Sequence, residues 1–172
     1  MRVLVVHASR LGSTREIAER VAATIGRRGV ETRTVAVGEP IDPAEYDAVV
    51  IGSAVYAGHW MTDAVDYVRR HRETLAGRPV WPFSSGPVGA TSTSHPPVAP
   101  SEIGELERLV GAKGHRTFAG ALDRSAIDAA GFGLAMRFIA KRLVPEGDYR
   151  DWEDIDAWAE AIARALAPAL PV

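Results

Sequence analysis

Two apolar runs rich in β-branched residues, Val3-Leu4-Val5-Val6 and Ala48-Val49-Val50-Ile51, each lead into a stretch of small and hydroxylated residues. Neither run alternates with polar positions, so each reads as a strand covered on both faces, and such strands belong to parallel sheets crossed over by helices. The crossovers are present. Ser13-Thr14-Arg15-Glu16 has the spacing of a capping box, and Ile17, Val21 and Ile25, with Ala18 and Ala22, form an apolar stripe ending at Gly26 and Gly29. Met61, Val65 and Val68 mark a second helix ending near Gly77, and residues 102–110 a short third. Asp151 is placed to cap a last helix, whose Ile155, Trp158, Ala159, Ile162 and Leu166 hold helical spacing up to Pro168. Residues 32–37 give a more polar strand suited to a sheet edge, and residues 118–122 a fifth strand. Residues 80–84 read as a strand in which Pro82 argues against a central position, because proline donates nothing to the ladder. The pattern is a doubly wound α/β sandwich with right-handed crossovers. Its 172 residues, without a repeat or linker, make one domain over residues 1–172, with an extra helical insertion at about 123–150.

Composition narrows the chemistry. Twenty basic against 22 acidic residues leave a formal charge of -2, which argues against a general nucleic-acid binder. With no cysteine, redox chemistry has to be carried by a borrowed cofactor. The five histidines show no metal-ligand spacing, no G-x-S-x-G elbow occurs, and the expectation is no metal site and no hydrolase. The apolar run at the N-terminus breaks at His7, too short for a signal peptide or a spanning helix, so the expected location is cytoplasmic.

In an open parallel sheet, ligands bind beyond the carboxyl ends of the strands. Three loops converge there. In Ser9-Arg10-Leu11-Gly12-Ser13-Thr14, three hydroxyls, a glycine and a helix start make a cradle for a phosphate, with Ser13 as a plain N-cap as the alternative. Ser53-Ala54-Val55-Tyr56-Ala57-Gly58-His59-Trp60 reads as a loop after a buried strand, whose small residues suit a flat ring lying on backbone under Tyr56. Trp60 either adds a second aromatic face or covers the following helix. Ser84-Ser85-Gly86-Pro87-Val88-Gly89 opens a long surface loop, residues 85–100, that offers backbone groups to a polar ring edge. His59, beside the ring loop, is a candidate donor to ligand or substrate, or an exposed loop histidine.

Taken together, the loops resemble those of the flavodoxin family over nearly the whole chain. Ser9, Gly12 and Thr14 match that family's hydroxyl-rich phosphate loop, while Leu11 stands where the family has threonine. The resemblance implies a flavodoxin-like three-layer sandwich, with a five-stranded parallel sheet in the order 2-1-3-4-5 and helices on both faces. It implies FMN, with its phosphate on residues 9–14 and its ring between residues 53–58 and 85–89. By the same resemblance, Gly58 is where a backbone amide reorients with the flavin's redox state. Thr14-Arg15-Glu16-Ile17-Ala18, Val50-Ile51-Gly52-Ser53-Ala54, Tyr56-Ala57-Gly58-His59-Trp60 and Phe118-Ala119-Gly120-Ala121-Leu122, with Asp151-Trp152, are similar to the menaquinone-dependent protoporphyrinogen dehydrogenase branch. The stretch between Gly86 and Pro100 lacks the long basic loop of that branch.

The expectation is therefore an FMN-dependent oxidoreductase passing electrons from an organic substrate to a quinone-like acceptor. The alternatives are an electron carrier between redox proteins, disfavoured by the near-neutral charge, and an FMN-free binding domain, which Leu11 keeps open. Phe132, Met136, Ile139 and Leu143 form an apolar stripe with Arg137, Lys141 and Arg142 at its margin. Residues 126–143 thus either pack on the domain or make peripheral contact with the inner face of the membrane. Oligomeric state is open.

Overall fold

The computed structural model describes residues 1–86, 99–123 and 146–167. The chain opens with strand β1 (Arg2–Ala8), helix α1 (Ser13–Gly26) and strand β2 (Glu31–Ala36). After a single turn of 3-10 helix (Pro43–Glu45) come β3 (Ala48–Tyr56), β4 (His59–Trp60), α2 (Thr62–Arg70), α3 (Arg72–Ala76) and β5 (Val80–Ser85). Helix α4 (Ile103–Val110), strands β6 (Arg116–Phe118), β7 (Ala121–Leu122) and β8 (Gly147–Asp148), and helix α5 (Trp152–Leu166) complete the described elements. The five parallel strands run β2-β1-β3-β5-β6, which is the expected order with β5 and β6 as fourth and fifth.

Side-chain alternation along the buried strands divides the core into two layers. Val3, Val5, Val50 and Phe83 pack with Ile17, Val21 and Ile25 of α1 and Ile155, Ala159 and Ile162 of α5. On the other face, Leu4, Val6, Val49 and Ile51 pack with Val65 and Val68 of α2, Leu75 of α3 and Leu106 and Val110 of α4. This explains why both runs lack alternation. Strand β2 pairs only with β1, and its edge position suits its polar sequence. Outside the core, Asp156 of α5 joins α1, accepting from Arg20 Nη2 at 2.6 Å and from Thr24 Oγ1 at 2.6 Å. Chiefly through the Arg20 hydrogen bond, the Asp156 carboxyl is held down at about 2.

Pro82 does lie in an inner strand, and the register shows how it is tolerated. The Val80 carbonyl accepts from Lys113 N–H at 2.8 Å, so alternation turns Pro82 to that same side. β6 begins only opposite Phe83, and at Pro82 the strand has no ladder partner on the side where its missing N–H would point.

Three expectations are corrected. The fifth strand is residues 116–118, and Ala121-Leu122 leaves the sheet after Gly120 to pair antiparallel with Gly147-Asp148. The second helix is two, broken at His71. Ser53, Ala54, Val55 and Tyr56 are not loop; they extend β3 by four residues, continuing the ladder with Ser84 and Ser85 of β5 and folding back through β4. Small residues read as loop because their strand character comes from neighbouring strands. Pro87, Val88 and Gly89, the stripe Phe132, Met136, Ile139 and Leu143, and most of the 123–150 insertion lie outside the described residues.

Candidate functional site

The β1–α1 loop departs from the capping-box expectation. Gly12, with φ 92°, takes the N-cap position, Ser13 is the first helical residue, and no side chain caps the helix. The two groups of the expected box are engaged elsewhere. Ser13 Oγ accepts from Ala121 N–H at 2.9 Å, and Glu16 Oε2 pairs with Arg150 Nη1 at 2.6 Å. Ser9 Oγ accepts from Gly12 N–H at 3.1 Å and closes the turn. The first backbone N–H groups of a helix have no intrahelical partner, and among the described residues no side chain caps them, while the positive end of the helix dipole faces the same way. Each serine, as acceptor in its bond, keeps its own hydroxyl proton to donate. Gly12's left-handed φ suits a residue without a β-carbon where a ligand approaches backbone. This donor set fits a phosphate. Thr14 is buried beneath the loop, and Arg10 is exposed at its rim.

Arg150 anchors the other side of this helix start. Its side chain is only 8% exposed, with the guanidinium paired with Glu16 and Asp148 and lying 4.5 Å from the centre of the Trp152 ring. These hydrogen bonds hold the Asp148 carboxyl below its ordinary value. An open cleft of about 280 Å³ lies alongside, lined by Leu11, Ser13, Glu16, Asp123, Asp148 and Arg150 among others. Its carboxylates disfavour a phosphate inside the cleft, so of the two places the helix start suits an anion better.

Tyr56, at the end of β3, is half-buried. Burial raises its pKa and the nearby Arg10 guanidinium opposes that, which puts the first and second loops within electrostatic reach of one another. Ser53 is fully buried and serves its own hairpin, donating to the Ala54 carbonyl at 2.9 Å and accepting from Met61 N–H at 3.0 Å. Trp60 is a core residue and presents no open ring face: it is 4% exposed, and Nε1–H donates to Ser84 Oγ at 2.8 Å. Ala57, Gly58 and His59 are exposed at the tip, and His59 Nδ1 lies 2.7 Å from Glu102 Oε1. In the third loop Ser85 is buried at the end of β5, and Gly86, with φ 114°, donates its N–H to the Phe118 carbonyl at 3.0 Å. The described parts of all three loops thus lie at the carboxyl ends of β1, β3 and β5. Ser101 and Glu102, which hold the hairpin tip, were missed by the sequence reading, since nothing local links them to His59.

The flavodoxin domain family model matches residues 4–151. Protoporphyrinogen IX dehydrogenase [quinone] of Escherichia coli K12 is 31% identical over 81 residues, a match covering 46% of this chain and 45% of that protein. The match therefore spans less than half the length of either. Among solved structures, oxidised flavodoxin 1 of Bacillus cereus superposes with a TM-score of 0.64 at 15% identity, covering 97% of this chain and 100% of that one. Rubredoxin oxygen:oxidoreductase of Desulfovibrio gigas gives a TM-score of 0.62 at 14% identity, over 96% of this chain and 36% of that chain. At these identities the structural likeness speaks for the fold, and the family match, over most of the length, speaks for descent: the chain belongs to the flavodoxin domain family.

Proposed function

We propose that this flavodoxin domain works as an enzyme, oxidising an organic substrate and passing the electrons to a quinone-like acceptor. Family membership makes FMN the cofactor and redox chemistry the general function. The finer reading draws support from the 31% match to a quinone-dependent protoporphyrinogen IX dehydrogenase. A formal charge of -2 also gives little of the acidic field with which a carrier would steer toward basic partners. The observation that carries the binding half is the uncapped start of α1 behind Gly12. In this reading Ser9, Gly12, Ser13 and Thr14 hold the phosphate, Tyr56 covers the ring, and Ser85 and Gly86 border its other side. FMN supplies the electron-accepting ring, while the chain orients it and limits water at the β3 and β5 ends.

Thr14→Val is expected to weaken FMN binding by about 1.5–3 kcal/mol, the range of one hydrogen bond to a charged group, or roughly ten- to a hundredfold. Riboflavin, which lacks the phosphate, should bind both proteins alike. Titration of apoprotein with each flavin checks this, and equal FMN affinity in wild type and variant would remove Thr14 from the cradle. Anaerobic reduction of the FMN-loaded protein by a porphyrinogen, followed by a screen of quinones and redox proteins, tests the enzyme reading. Reoxidation by redox proteins alone would favour the carrier.

Among the described residues no helix is long and apolar enough to cross a membrane. For a lipophilic acceptor we propose the stripe of Phe132, Met136, Ile139 and Leu143 as the lipid-facing segment. Wild type should sediment with anionic liposomes and the double variant Phe132→Ser/Met136→Ser should not. Equal behaviour of the two assigns the stripe to packing.

A further inference from the structure

The turn between β3 and β4 is the most strained backbone among the described residues. Ala57 has φ 51°, the only positive φ there outside glycine, and Gly58 follows at 82°. Two successive left-handed residues are the geometry of a type I′ hairpin turn, whose first position ordinarily goes to asparagine, aspartate or glycine. Alanine has neither their local hydrogen bonding nor glycine's freedom. Such a residue persists when its surroundings over-determine it.

The surroundings that do so come from two residues at the start of α4, more than 40 positions away in sequence. Ser101 N–H donates to the Gly58 carbonyl at 3.4 Å. Glu102 Oε1 lies 2.7 Å from His59 Nδ1, and Oε2 accepts from Trp60 N–H at 3.4 Å, so one carboxylate bridges the side chain and backbone of β4. Because a carboxylate only accepts, Nδ1 carries the proton, and Ser101 Oγ lies 3.0 Å from the same nitrogen as a second partner. Burial pushes the Glu102 carboxyl up, but hydrogen bonds from His59, backbone N–H groups and Ser101 outweigh it and keep the group ionised. Trp60 is itself fixed in the core, so the clasp ties the exposed tip of the hairpin to a buried base. Any reorientation of the peptide after Gly58 has to break the Ser101 bond first.

We propose that Ser101 and Glu102 are positioning residues that clasp the Ala57-Gly58 turn in one backbone conformation and thereby set the midpoint potential of bound FMN. The inference rests on the reading that this turn borders the flavin ring. A turn fixed before the cofactor arrives presents its peptide groups to one redox form better than to the other, and a ligand or protein changes an equilibrium only through such differential interaction.

The test uses the full chain. FMN titrated into ¹⁵N-labelled protein should move the amide signals of Ala57 and Gly58; signals that stay still while FMN binds would overturn the reading of the site. Glu102→Ala should speed amide hydrogen exchange across residues 57–60 of the apoprotein at least tenfold. It should also change the ratio of affinities for oxidised and reduced FMN about tenfold, roughly 30 mV for the two-electron couple. Glu102→Gln, which keeps a carbonyl oxygen for Trp60 N–H, should recover most of that shift. Ala57→Gly, which relaxes the turn whatever the clasp does, should shift the potential in the same direction as Glu102→Ala and keeps the test open if that variant folds poorly. Shifted amide signals together with unchanged potentials in Glu102→Ala and Ala57→Gly would overturn the clasp and leave the site standing.

Discussion

Gly52→Ala is expected to lower the stability of the domain by about 1–3 kcal/mol, the range for overpacking a filled core, and Gly52→Val by more. A β-carbon at Gly52 would lie 2.1 Å from Phe83 Cζ, 2.3 Å from Cε1 and 2.7 Å from Cε2. A clash with the far end of a side chain is often relieved by a small rotation. Here it is not, because Phe83 is fully buried and wedged, with ring centroids 5.9 Å from Phe118 and 5.8 Å from Trp158. The backbone cannot yield either, since β3 is hydrogen-bonded on both sides, with Gly52 between His7 of β1 and Phe83 of β5. Urea unfolding of the alanine variant gives the number. The mechanism predicts strong coupling with Phe83→Leu: the double variant should be less destabilised than the sum of the two single ones. Additive losses would mean that the ring is not the obstacle.

Gly52 also shows where the sequence was legible and where it was not. The Val50-Ile51-Gly52-Ser53-Ala54 string is part of the likeness to the protoporphyrinogen dehydrogenase branch, yet the reason for its glycine lies in a phenylalanine 31 residues on, across the sheet. Buried strands and amphipathic helices could be read because their periodicity is local: Val3 to Val6, the α1 stripe, and Asp151, which does cap α5 by accepting from Asp154 N–H at 3.0 Å. The capping box had the right spacing and failed. Ser13 and Glu16 had better partners in Ala121 and Arg150, more than 100 residues distant, and that diversion leaves the helix start without a side-chain cap among the described residues. Likewise Ser53 to Tyr56 look like loop until β5 and the returning β4 supply a ladder, and nothing near His59 announces Glu102. The site residues were legible as types in a loop; their geometry was written by contacts of long sequence separation.

Acidification from pH 7 to pH 4 is expected to destabilise the domain through a chain of three side chains that runs from the buried Trp60 and Ser84 to the half-buried His115. Trp60 Nε1–H donates to Ser84 Oγ at 2.8 Å, and Ser84 Oγ lies 2.7 Å from His115 Nε2. Ser84 Oγ thus accepts from the indole, and when His115 is neutral with its proton on Nδ1 the serine can pass its own proton to Nε2. Protonating Nε2 would place a charge on a ring partly shielded from water and oblige the fully buried Ser84 hydroxyl to send its proton to another acceptor. Burial accordingly pushes His115 down from 6.5 to about 4. His7, whose buried Nδ1 has no hydrogen-bond partner among the described residues, and His71 are lowered too, burial being the largest cause in each. A histidine depressed in the folded state takes up its proton first in the unfolded chain. Its contribution is thus complete above pH 6.5 and is lost as pH falls toward the folded value. For His115 the full difference would be worth roughly 3 kcal/mol, which water at the half-buried ring reduces to about 1.5–2 kcal/mol. Asp156, held at about 2 by Arg20, acts in a separate window: its contribution is present above 3.8 and lost only below it. Urea unfolding at half-unit steps between pH 7.5 and 4 should show a falling midpoint. His115→Gln, which keeps a carbonyl acceptor for Ser84 but does not titrate, should flatten the fall. A variant whose unfolding follows the wild-type slope across that interval would transfer the acid sensitivity from His115 to other groups.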